Sequence, residues 1–141
     1  MSHFVNLYEK LRAMEVDPST ASDPIKRMFL CEGQYLTANL GIINESGNAL
    51  HTQPAHDEIV FIIEGEADFQ VGDEVRRVGP GDLVFVPRNT LHGPILHEGA
   101  KLAALSVYAP YFDRSKRNID WDRNKQWLSY FQSKLNLRQV R

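Results

Sequence analysis

Between residues 25 and 108 the chain breaks into nine short runs of apolar, β-branched or aromatic residues, separated by turn-forming stretches. The runs are 25–31, 34–43, 49–53, 58–63, 67–71, 74–78, 82–86, 92–96 and 101–108. Their separators include Glu32-Gly33, residues 44–48, Glu64-Gly65, Gly72-Asp73, Gly79-Pro80-Gly81 and Pro87-Arg88-Asn89. Short strands at this spacing, with Gly- and Pro-bearing turns, predict an all-β fold, an antiparallel sandwich or barrel.

The flanks have a different texture. Residues 3–14 place Phe4, Val5, Tyr8, Leu11 and Arg12 at helical spacing, which predicts a short amphipathic helix. Residues 17–24 are rich in Asp, Ser, Thr and Pro and read as a loop. Beyond Pro110 the regular pattern ends. Asp120 can cap a final helix, with Trp121, Leu128, Phe131 and Leu135 on one stripe that would pack on the barrel or a partner chain. The expected division is 1–24 (N-terminal helix and loop), 25–112 (β-barrel) and 113–141 (basic helical tail), within one domain.

A chain of 141 residues buries a real core without disulfides, and its single cysteine, Cys31, has no internal partner. No stretch resembles a secretory signal or a membrane span, so a cytoplasmic protein without a membrane partner is expected. The net charge of -2 gives no reason to expect nucleic acid. The charge is uneven: residues 113–141 carry eight Lys/Arg against three Asp/Glu. That balance suits a solvated helix face lying on an acidic barrel or a neighbouring subunit.

The chemistry concentrates in two stretches, LHTQPAHDEIVFIIEG at 50–65 and GPGDLVFVPRNTLHGP at 79–94. Residues two apart on a strand face one side, so His51 and Gln53 can point together into a barrel. Glu58 heads the next strand, with Val60 and Ile62 on its face, and an ionisable group there needs a partner or a metal to offset its burial. His92 follows the turn at 87–90 and re-enters the sheet. Two imidazoles, a carboxylate and an amide oxygen form a mixed nitrogen/oxygen set suited to a first-row divalent ion. His56, two residues before Glu58, is either an alternative fourth ligand or an acid/base group near neutral pH. His97 follows its strand and is expected at the surface. For substrate contacts the candidates are Arg88 at the rim, which could meet an anion, and Tyr35 and Thr37, which alternate with the apolar face of an early strand. Asn89 sits where a left-handed turn residue is needed, and asparagine tolerates that conformation.

His51-x-Gln53-x4-Glu58-x6-Gly65 resembles the first motif of the cupin superfamily, and Gly81-x5-Pro87-x-Asn89-x2-His92 resembles the second. The fifteen residues between Gly65 and Gly81 resemble the short inter-motif segment of bacterial single-domain cupins. The resemblance covers residues 25–110. It implies a cupin-like antiparallel jelly-roll barrel of six to eight strands with one divalent metal (Zn, Mn, Fe, Ni or Co) at its centre. His51, Glu58 and His92 match three of the family's four ligands. Gln53 replaces the usual second histidine, Asn89 the usual glycine and Leu96 the final asparagine. The implied function is a metal-dependent small-molecule enzyme, with His56 or Glu58 handling a proton. Its metal acts as a Lewis acid in isomerisation, elimination or cyclisation, or as a dioxygenase centre. The alternative is a non-catalytic cupin that binds or senses a small metabolite. Cupins of this size often pair through sheet edges, so a homodimer is expected.

Overall fold

A computed structural model describes residues 3–44, 47, 48, 50–113, 115, 116 and 118–121. Among the described residues, one α-helix, α1 (Leu7–Val16), and a 3-10 turn (Pro18–Thr20) precede eleven strands. These are β1 (Ile25–Glu32), β2 (Thr37–Ile43), β3 (Gly47–Asn48), β4 (His51–Thr52), β5 (Asp57–Gly65), β6 (Ala67–Val71), β7 (Glu74–Val78), β8 (Leu83–Val86), β9 (His92–Leu96), β10 (Leu102–Ala109) and β11 (Asp120–Trp121). All pairings are antiparallel. One sheet runs β1-β2-β10-β5-β8; the other runs β11-β4-β9-β6-β7, with β3 beside β9. This is the two-sheet jelly roll of a cupin, in which the eight longer strands match the expected runs to within a few residues.

The two sheets close on a core of Val60, Ile62, Ala67, Phe69, Val78, Val86, Leu96 and Leu102. A second core lies on the outer face of the first sheet, where Leu11 and Met14 of α1 cover Leu40, Ile42, Ile63 and Ala103. β2 is therefore buried on both sides. Its odd positions Asn39, Gly41 and Ile43 line the interior, and its even positions lie under the helix. Buried Lys26 donates from Nζ to the carbonyl of Met14 at 3.2 Å, giving the helix C-terminus a cation where its carbonyls are unsatisfied.

Helix α1 starts four residues later than the periodicity predicts. Asn6 caps it, its Oδ1 accepting the Glu9 amide at 2.9 Å. The buried stripe is thus Leu7, Leu11 and Met14, and Phe4, Val5 and Tyr8 are exposed. Near the C-terminus, Asp120–Trp121 is a short edge strand pairing with Thr52 and His51. The helix expected beyond it lies outside the described residues.

Two turns require the left-handed region. Gly65 has φ +86°, and a Cβ there would sit 1.9 Å from the carbonyl oxygen of Lys101, so only glycine lets β5 close on β10. Asn89 has φ 60°, as the turn into β9 demands. On the outer face of β5 and β8, Ile59 pairs with Phe85 and Phe61 with Leu83; all four are exposed. The exposed Arg76 and Arg77 belong to edge strand β7, against Glu74 and Asp68.

Candidate metal centre

Three short backbone placements converge inside the barrel. β4 and β9 set His51 directly opposite His92, with ring centroids 4.2 Å apart. From the other sheet, β5 brings in Glu58 below the apolar pair Val60 and Ile62. One ligand atom from each of His51, Glu58 and His92 falls within 4.8 Å of the others, and all three residues are buried. They stand in the wall of a cleft whose empty space, counted out to solvent, is about 600 Å³.

His92 carries the test of whether a cation belongs there. Its Nδ1 lies 2.8 Å from the Thr90 carbonyl oxygen, and its Nε2 lies 2.8 Å from Glu58 Oε1. A carbonyl only accepts, so Nδ1 carries a hydrogen and Nε2 is the ring's remaining site. Nε2 and the Glu58 carboxylate then face each other as two acceptors unless a proton lies between them. A divalent ion in that proton's place leaves the Thr90 bond intact and satisfies Nε2 and Glu58 together, with the backbone carbonyl fixing the tautomer. These residues fit a metal.

Gln53 is buried beside them, its amide nitrogen 3.1 Å from His51 Nε2. Its Oε1 has no hydrogen-bond partner. Turning the amide over exchanges oxygen for nitrogen with little change of shape, and would direct the orphaned acceptor toward the same centre. The Gln53 carbonyl accepts the amide of Asn89 at 2.9 Å, tying the first motif to the second.

His56 is buried but stands outside this cluster. Its Nε2 donates to the Tyr111 carbonyl at 3.2 Å, and its ring meets Phe112 edge-on at 4.5 Å. The turn at 54–55 aims it away from the face that Glu58 shares. Tyr35 lies in the β1–β2 turn and is 72% exposed. Thr37 is fully buried, and its hydroxyl accepts the Phe112 amide at 2.8 Å. Arg88 is exposed, and its amide donates to Asp57 Oδ1. None of these four lines the cleft. His97 is exposed as expected and bonds Asp68.

The cleft instead presents Arg27, Ser106 and Tyr108, which no sequence motif marks, and Asn39, which shares the strand alternation of Tyr35 and Thr37. Tyr108 is the most telling. Burial, and after it the Glu58 charge, push its phenol up to about 12, so it remains a hydrogen-bond donor across the neutral range. Asn39 Nδ2 donates to its oxygen at 3.5 Å. The available signal was register: Tyr108 ends a strand in which every second residue faces inward.

Residues 43–108 match the sequence model of the Cupin_2 family, described as a cupin domain. An uncharacterized protein of Streptomyces coelicolor is 36% identical over 56 residues, 40% of this chain and 52% of its own. That match spans about half the length of the relative. Among solved structures, an RmlC-like cupin from Shewanella frigidimarina superposes with TM-score 0.64 at 18% identity, covering 82% of this chain and 97% of that one. The DMSP lyase DddQ from Ruegeria pomeroyi gives TM-score 0.58 at 25% identity, covering 75% and 55%. Barrel, motif residues and family match agree that residues 43–108 carry a cupin-type domain.

Proposed function

We propose that this protein is a metal-dependent enzyme acting on a small molecule, with His51, Glu58 and His92 as protein ligands and the Gln53 amide oxygen as the fourth. The observation that carries this reading is the buried triad with His92 held between two oxygen acceptors. A bound divalent ion would supply a Lewis acid for a carbonyl or enolate oxygen, as in isomerisation, elimination or cyclisation. Tyr108 holds a hydrogen bond toward the oxygen on which charge develops, and the apolar walls at Val60 and Phe69 exclude water around it. A lyase shares this fold at 25% identity, which supports elimination as one of these reactions. Two histidines and one carboxylate also form the ligand set of non-haem iron oxygenases, which keeps dioxygen chemistry as the second reading. In either case the exposed Ile59–Phe85 and Phe61–Leu83 pairs beside β8, the last strand of its sheet among the described residues, are the face we assign to a homodimer; Phe85→Lys should halve the mass in solution.

Elemental analysis of tag-free protein tests the centre. Near-stoichiometric metal in the parent that disappears in His92→Ala supports it, and iron rather than zinc or manganese would favour the oxygenase reading. A parent that takes up no metal after soaking with several divalent ions would overturn the catalytic reading in favour of a metabolite-binding protein.

A further inference from the structure

Arg27 is the only Lys or Arg among the described residues that line the cleft, and no described carboxylate pairs with it. It lies at the exposed end of the wall, opposite Gly41 on β2, and Gly41 lies opposite Ala104 on β10. These three positions form one row across neighbouring strands. Beyond the guanidinium the row is a shallow recess, because neither Gly41 nor Ala104 fills it.

The glycine is not there for its backbone. Gly41 has no left-handed φ, and a Cβ built on it meets only the Lys26 carbonyl oxygen, at an ordinary 3.8 Å. A strand glycine costs stability, and one that neither turns nor packs leaves space for something to approach the backbone. The next row inward, Asn39 opposite Ser106, offers an amide and a hydroxyl toward the same cleft.

The distance to the metal triad sets what would fill that space. From Glu58 the path to Arg27 takes three strand-to-strand steps, about 14 Å, and four residues along a strand, about 13 Å. Curvature and side-chain reach shorten it, the Arg27 charge acting on the Tyr108 phenol beside Glu58, so a short organic acid spans the two ends. We propose that Arg27 and the Gly41–Ala104 recess form an oxyanion subsite for a small organic acid. The acid's carboxylate pairs with the guanidinium, and its other, oxygen-bearing end lies at the triad. This deepens the reading of the triad as the reacting centre and rests on it for the second half only.

Isothermal titration of the full chain, metal-free and Mn²⁺-loaded, with adipate and with hexanoate tests the subsite. In the loaded protein, Arg27→Gln should weaken adipate at least tenfold, a modest factor because the guanidinium is exposed. Gly41→Val should abolish binding by filling the recess. Both variants should keep the parent's metal content, and neither should melt below the parent. Hexanoate bound by the metal-free parent and lost in Arg27→Gln would support the subsite even if the metal reading fails. Adipate binding as tightly to Arg27→Gln as to the parent would overturn it, as would no binding by the parent of any dicarboxylate from malonate to suberate.

Discussion

Tyr108 stands opposite Glu58 in the register of β10 and β5, so a buried phenol and a buried carboxylate share one wall of the cleft. The phenol's pKa moves from 10.0 to about 12, first through burial and then through the Glu58 charge. An acid whose folded pKa is raised contributes stability fully present below its unfolded value and lost as pH rises through the folded one. The window is therefore pH 10 to 12. Two units correspond to about 3 kcal/mol. Urea unfolding between pH 9 and 11.5 should show the parent losing stability faster than Tyr108→Phe, which has no charge to bury. Parallel slopes would mean that the phenol is not held as described.

Glu58→Gln separates folding from metal binding. With an amide at position 58, a neutral His92 keeps its Nδ1–H bond to Thr90 and accepts at Nε2, so no buried charge is left uncompensated. Metal-free stability should stay within about 1 kcal/mol of the parent. The parent, at metal a hundredfold above its Kd, should gain about 2.7 kcal/mol on loading; the variant should gain none. A variant that still melts higher with metal would remove Glu58 from the ligand set.

Gln53→Ala should weaken metal binding about tenfold without abolishing it, since the amide oxygen is a neutral donor beside three stronger ligands. Competition against a chelating dye measures the change. Affinity identical to the parent would leave the centre with three protein ligands, because His56 is committed to Tyr111 and Phe112.

Sequence pattern reached the barrel and the His51–Glu58–His92 cluster because both are set by local rules. Strand alternation and turn chemistry place His51, Glu58 and His92 on inward positions whatever their distant neighbours. It misplaced what depends on pairing. Tyr35 follows the alternation of β2, but the chain has already turned out at residues 33–36, where the Gly33 amide bonds the Leu36 carbonyl. Arg27 and Tyr108 face the cleft through register with β2 and β5, which a single strand does not reveal. The start of α1 was a contest between two apolar stripes, settled by Asn6 as cap and by the fit of Leu11 against Leu40 and Ile42.

Leu11 shows how much of the cleft wall depends on that contact. It is fully buried, and truncation to alanine removes transfer energy and leaves a cavity between α1 and β2, about 3 kcal/mol together. Denaturant unfolding of Leu11→Ala should show that loss with metal affinity unchanged, because the helix lies on the opposite face of β2 from the triad. Reduced metal affinity would mean that α1 sets the position of β2 and not only its stability.

Thr37 distinguishes a substrate contact from a structural one. Its hydroxyl accepts the Phe112 amide at 2.8 Å, and Phe112 stacks on Tyr108 with centroids 4.0 Å apart. The threonine thus anchors the segment that backs the phenol. Thr37→Val keeps the shape and removes the acceptor, leaving a buried amide unpaired at a cost of about 1–3 kcal/mol. If the hydroxyl serves only the fold, unfolding free energy drops by that amount while adipate affinity at 25 °C holds within twofold. If it touches ligand, affinity falls as well, and the interior of the cleft extends one row further along β2 than Asn39.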